Sequence, residues 1–327
     1  MLNRWIFIFI LTAFQSLAHA DESLAEGRFK AAIKKVKQSI ELALKENPDF
    51  DEMSKADQAA VFLKSGLRAS AFKLQALGRL YQQIDHKELR EFAMSLRDST
   101  KELEDLLGEF DLRQTVGNKT EVEQAARAFL KSMTNGRWIA ENSPGEIFEE
   151  WRDSIKAIDW PTDQEDRKFV ITEIAEQVNR LRKTEYDMGF LEQGMHELRR
   201  ELRWFSLYVI STDGQIQKSN NGQFACPIKE QAFLEFADPK YSQLKSDPQF
   251  PQVCRISACV YDEIVGAVGA FGDLKDQAEK ILDKDPDLQK KDRTPKKIRQ
   301  QAEKHYEQLV HSEVLDMARA QLRACLK

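Results

Sequence analysis

Glycine fills only 14 of 327 positions while charged residues make up 31%, a balance that disfavours a turn-rich β fold and favours helices. Positive charge is also in deficit. Lysine and arginine number 49 against 54 acids, for a formal charge of −5, and residues 1–20 contribute only the cation Arg4, so the remainder is more acidic still. Wholesale attraction to nucleic acid or to an anionic membrane is therefore not expected, and any polyanion site has to be a local basic patch. Catalytic signatures are missing as well. There is no Gly-x-Ser-x-Gly elbow, no Gly-x-x-x-x-Gly-Lys phosphate loop and no His-Glu-x-x-His run. The cysteines follow no zinc spacing, and His305 and His311, six apart, do not stack on one helix face. The chain is read as a non-enzyme, with no catalytic residue, no metal ligand and no cofactor.

What is present begins with an export signal. Arg4 gives a positive start, Trp5 to Phe14 an apolar core too short to span a bilayer, and Ala18-His19-Ala20 a small-x-small cleavage site. Cleavage after about Ala20 leaves a periplasmic or secreted chain starting near Asp21, with no stable membrane insertion. That compartment permits disulfides, and Cys226, Cys254, Cys259 and Cys325 are an even set. Two structural bridges are expected, each worth about 2–4 kcal/mol. Four cysteines allow three pairings, among which the sequence does not choose; in one of them Cys226 with Cys254 closes the insertion and Cys259 with Cys325 ties a helix to the C-terminal region.

Helix signals follow one another along the chain. Ser23 and Glu26 have the capping-box spacing, and Asn47-Pro48 stops the helix they open. Further helices are expected from after Ser54 past Leu80, from Asp85 to about Leu107, from Thr120 to Asn135-Gly136, from Ser143-Pro144, from about Asp163 to Ile210 with an interruption around Gly189 to Gly194, from Ala258 to Asp283, and from Thr294-Pro295 to Cys325. Residues 211–258 carry turn clusters and two of the four cysteines, with Cys259 immediately after them, which marks a loop-rich insertion. Strand signals are nearly absent. The expectation is an all-α protein of roughly eight helices.

One stretch sorts its residue types onto two sides of a helix more cleanly than any other: Met195 to Arg203. At about 100° per residue, Arg199, Arg200 and Arg203 fall within roughly 60° of His196, while Leu191, Met195, Leu198, Leu202, Phe205 and Val209 take the opposite side. One face can pack, and the other crowds four cationic or proton-binding groups. Arginine supplies planar bidentate hydrogen bonds to phosphate and lysine a point charge, so the crowding points to an anionic partner. An exposed network with Glu197, Glu201 and neighbouring acids is the competing account.

The chain also contains a weak internal repeat. Ser65-Gly66-Leu67-Arg68 sits beside His196-Glu197-Leu198-Arg199, and Leu107-Gly108-Glu109-Phe110-Asp111 beside Val268-Gly269-Ala270-Phe271-Gly272-Asp273, in the same order. The second half holds its two signals further apart, by a length that the insertion absorbs. These residues resemble the CHAD family, the conserved histidine alpha-helical domain, whose two related halves each carry a His-x-x-Arg helix with further basic residues. His196, Arg199, Arg200 and Arg203 match the second-half motif, and Arg68 and Lys73 take basic positions of the first; Ser65 stands where the family has histidine, and Phe72 and Gln75 replace basic residues.

The resemblance implies two related antiparallel helical bundles across residues 54–327, a first half of about 54–158 and a second of about 159–327 with the insertion at about 211–258, preceded by a helical segment at 21–53. It also implies non-enzymatic binding of inorganic polyphosphate or another phosphorylated polymer by His196, Arg199, Arg200, Arg203, Arg68 and Lys73. The alternative is an envelope scaffold that binds another protein without an anion ligand, for which Trp138, Trp151, Trp160 and Trp204 are anchors if exposed and core if buried.

Overall fold

The computed structural model describes residues 22–141, 143–224, 226, 228, 231–245, 253–282 and 292–327; the expected signal segment lies outside the described residues. The helices are α1 (Leu24–Lys45), α2 (Lys55–Lys64), α3 (Leu67–Tyr81), α4 (Lys87–Val116), α5 (Lys119–Asn135) and α6 (Ile147–Ala157). They continue with α7 (Asp163–Lys183), α8 (Glu197–Ser211), the one-turn α9 (Pro239–Ser242), α10 (Ala258–Leu282), α11 (Lys296–His311) and α12 (Val314–Ala324). Between them lie the short strands β1 (Ile139–Ala140), β2 (Ser143–Pro144), β3 (Ile216–Ser219) and β4 (Cys254–Ser257). The all-α class is thus correct, with two small ladders added to it. No described helix is long and apolar enough to cross a membrane.

Local chemistry explains where the helices begin and where expectation and structure part. Ser23 caps α1, its hydroxyl accepting the Glu26 N–H at 3.2 Å. The helix expected from Ser54 past Leu80 is two, because Gly66 adopts φ +78°, a left-handed conformation that only glycine takes without strain. At α5 the cap lies two residues before the expected start at Thr120, as a capping box: Asn118 Oδ1 accepts from Thr120 and Glu121, and the Glu121 carboxylate accepts the Asn118 N–H. Ser143 does not cap a helix. It pairs with Ala140 in the β1–β2 hairpin, so α6 starts at Ile147. The last helix is also two, broken where Glu313 takes φ +57°.

The described residues divide into two compact units that interleave in sequence, those up to 70 with those of 102–166, and those of 71–101 with those from 167 onward. In the first, α1, α2, α5 and α6 bury an aromatic core in which Phe62 meets Phe129 at 5.7 Å and Trp138 meets Trp151 at 5.3 Å, edge to face. Trp138 and Trp151 are almost wholly buried, as is Trp204 in the second unit, and half-buried Trp160 donates its ring N–H to the Ile155 carbonyl. Trp138, Trp151 and Trp204 are therefore core residues and not exposed anchors. The same unit holds an ion pair out of water, Arg28 Nη1 to Asp166 Oδ2 at 2.7 Å.

In the second unit α10 is buried along most of its length, with Val260, Ile264, Phe271, Leu274 and Ala278 in the core. Gly266 and Gly269 leave a bare strip on it. A methyl group at Gly266 would stand 1.9 Å from the Phe233 carbonyl oxygen and one at Gly269 2.1 Å from that of Phe236, so the peptide backbone of residues 233–236 lies directly on the helix. Glu263, one turn earlier and fully buried, accepts the N–H groups of Ala232 and Phe233 at 2.6 and 3.0 Å. Burial pushes its carboxyl above the usual carboxylate range.

Among the described residues of the insertion, β3 and β4 pair in parallel with Gln217 opposite Arg255, where composition indicated only turns. Alternation puts Cys254 and Ile256 on the buried face of β4 and Arg255 outside. Two disulfides form, as expected, in another of the three pairings. Cys226 joins Cys259 and Cys254 joins Cys325, with Cα separations of 5.6 and 5.4 Å. The ladder is the reason: it turns Cys254 toward the side where α12 docks, and there the Ser257 N–H donates to Gln321 Oε1 at 2.9 Å.

Two outcomes test these interiors. Asp166→Ala removes the buried carboxylate that Arg28 holds at 2.7 Å and should cost about 3–5 kcal/mol in urea unfolding. Glu263 has a raised folded-state pKa, so its contribution to stability is complete below the ordinary value of 4.5 and is lost as pH rises through the higher folded value. Glu263→Gln, which stays neutral and keeps the acceptor, should therefore gain on the wild type progressively as pH increases from 4.5 in unfolding titrations; a constant difference would refute the sign.

Candidate functional site

The basic run straddles a change of helix type. Residues Leu191–His196 form a π-helical turn, whose N–H groups at Glu192 and Gln193 are received by the Asp292 carboxylate at 2.8 and 3.4 Å, and α8 begins only at Glu197. The interruption expected near Gly189 to Gly194 is therefore real. Downstream the apolar side of α8, with Leu198, Leu202, Phe205 and Val209, is buried as its spacing dictates.

Each candidate cation has a definite setting. His196 Nδ1 lies 2.7 Å from Glu192 Oε2, and that hydrogen bond holds the Glu192 carboxyl below its usual range. Arg200 pairs with Glu197, three residues away on the same helix. The Arg203 guanidinium lies over the Phe72 ring at 4.6 Å and the Trp204 ring at 5.8 Å. Lys73 reaches Asp213 at 3.1 Å. Arg68 belongs to the first unit and the other five candidates to the second. Arg68 holds Glu104 through Nε at 3.2 Å and Asp111 through Nη1 at 2.7 Å.

Arg199 is different. Its Nε is buried and meets no hydrogen-bond acceptor among the described residues, and no ion pair reaches it there. The guanidinium lies against α10 at Gly272, with Nε 2.9 Å from where a methyl group would stand. Arg68 lies in the same way against α4 at Gly108, Nη2 being 2.8 Å from the corresponding point. Each unit thus lays one arginine over one helical glycine. The glycine in the second unit is Gly272, three residues beyond the Gly269 that the repeat pointed to, because Gly269 is covered by Phe236. Around Gly108, the positions four before and three after are Glu104 and Asp111, the two acids that Arg68 holds; around Gly272 they are Val268 and Lys275. Arg199 keeps the packing and has lost the counter-charges.

A cation that the motif did not include completes the surroundings of α8. Arg79 on α3 donates to Glu201 at 3.2 Å and to the Tyr208 hydroxyl at 3.1 Å, and stacks over Trp204 at 4.9 Å. Burial raises the Tyr208 pKa far above its ordinary range, so the hydroxyl stays neutral and free to accept. Glu201 also receives Gln177 Nε2 at 2.6 Å. The signal in the sequence was the spacing Arg68, Phe72, Gln75, Arg79, which keeps to one stripe of a helix. No group of three or more His, Cys, Asp or Glu among the described residues is placed to hold a metal ion.

Compared with family models, curated proteins and solved structures, the chain matches none.

The two kinds of glycine contact should separate on substitution. Gly272→Ala meets only the mobile end of Arg199 and gains helix propensity of about 0.5–1 kcal/mol, so its net effect on unfolding should be small. Gly266→Ala meets a backbone carbonyl and should destabilise by about 1–3 kcal/mol, as overpacking does. Equal unfolding midpoints for the two variants would contradict this distinction.

Proposed function

We propose that the protein is an exported, non-enzymatic binding protein of CHAD-like build that takes inorganic polyphosphate or another phosphorylated polymer on the face formed by His196, Arg199 and Arg200. The observation that carries this reading is Arg199, a guanidinium with a buried Nε that meets no acceptor among the described residues, on a face whose acid positions have become Val268 and Lys275. A phosphate oxygen at the solvent side of this half-buried guanidinium supplies the counter-charge that Arg199 lacks among the described residues. The arginine laid over a helical glycine in each unit supports the proposed two-bundle relationship. The two disulfides and the export-type composition of residues 1–20 support a location outside the cytoplasm.

A second reading, an envelope scaffold with no anion ligand, is favoured by the other cations. Arg68, Lys73 and Arg200 already hold acids, and Arg203 lies on aromatic rings, so they serve the protein's own packing. One titration decides between the two. Polyphosphate binding should be measurable at low salt, should weaken steeply as salt rises, and should fall by about 1.5–3 kcal/mol in Arg199→Ala, the range for a hydrogen bond involving charge. Binding that is absent at low salt, or indifferent to Arg199→Ala, supports the scaffold instead.

A further inference from the structure

The two disulfides differ in the exposure of their cysteines, although the Cys226 sulfur also accepts Gln231 Nε2 at 3.1 Å. Cys254 is completely buried in β4, whereas Cys226 is exposed on the loop after β3. Thiol–disulfide exchange is an in-line displacement at sulfur: the attacking thiolate must reach one sulfur, and the other must leave as a thiolate that its surroundings tolerate. Cys226 meets the first requirement. Its partner Cys259 meets the second, being the second residue of the 25-residue helix α10, where the unsatisfied N–H groups carry partial positive charge. The Ser257 hydroxyl lies 3.3 Å from the Cys259 sulfur, placed to donate a hydrogen bond to a departing thiolate. In the other bridge the half-buried Cys325 is the sulfur nearer to solvent, and attack there would expel the thiolate of Cys254 into the apolar interior.

We infer that Cys226–Cys259 is a thiol-exchange site, open to a dithiol oxidoreductase of the compartment in which the protein resides, and that Cys254–Cys325 is not. The partner's thiolate attacks Cys226 Sγ; a mixed disulfide forms, the Cys226–Cys259 bond breaks and Cys259 leaves as the thiolate. The partner's second thiol then attacks its own sulfur in the mixed disulfide, which releases Cys226. Two electrons pass from the partner, which ends as a disulfide, and the thiolates of Cys226 and Cys259 take up protons. Opening this bridge removes the covalent tie between Cys226 and the start of α10. The backbone contact of residues 233–236 with Gly266 and Gly269, and the tie from β4 to α12, do not depend on it.

The test uses the oxidised full-length protein, folded and without denaturant. Samples are exposed to graded dithiothreitol, quenched with N-ethylmaleimide and mapped by mass spectrometry. Cys226 and Cys259 should be labelled roughly tenfold or more faster than Cys254 and Cys325, as expected when access and leaving group favour the same bridge. With 2-mercaptoethanol, a monothiol, the trapped adduct should sit on Cys226 and the maleimide on Cys259. Ser257→Ala should slow opening of this bridge and leave the other unchanged. Equal labelling of all four cysteines, earlier labelling of Cys254 and Cys325, or an adduct on Cys259 would overturn the inference.

Discussion

Backbone laid directly on helix α10 is the contact from which the second unit is built. The carbonyl groups of Phe233 and Phe236 occupy the space that a side chain at Gly266 or Gly269 would fill. Because the chain comes that close, three further interactions become available at once. The Glu263 carboxylate reaches the N–H groups of Ala232 and Phe233, the Phe233 ring meets Phe271 and His305, and the Phe236 ring meets His305. None of these survives separation of the backbone from the helix, since each spans only a few ångströms. A fully buried carboxylate is tolerable only while those donors remain, so the glycine strip and the acid stand or fall together.

Helix positions were legible in the sequence wherever one residue decides the local chemistry. Ser23, the interruption near Gly189 and the buried side of α8 all read correctly because capping and periodicity act within a turn or two. What escaped was decided at long range. Ser143-Pro144 has the composition of a helix start, yet the strand opposite claims it. Gly66 looks like any helical glycine until its φ is known, and the pairing of Cys254 depends on a parallel ladder whose strands are four residues each, too short to show a pattern. Turn-rich composition around those strands concealed them further.

The candidate site was legible as chemistry and not as geometry. Spacing alone placed the cations on one face, but a helical wheel carries no information about the opposing element. The acids that neutralise Arg68 come from α4, and the ring under Arg203 comes from α3. Basic residues on a helix are then as much a packing device as a ligand site, since a long side chain can lie across a neighbouring helix where glycine makes room. Arg68 and Arg199 occupy the same kind of seat and differ only in what flanks it, so the distinction between an internal ion pair and an open cation rests on the residues four before and three after one glycine.

The order in which the cysteines are synthesised adds a meaning to the β3–β4 ladder. Cys226, Cys254 and Cys259 all emerge before Cys325, so for a time three thiols compete and the proper partner of one of them does not yet exist. In the folded chain the ladder presents Cys254 on the side where α12 docks with Cys325, while Cys226 and Cys259 meet at the start of α10. The strands then act as a jig does in assembly, holding each part where only its own mate can reach it.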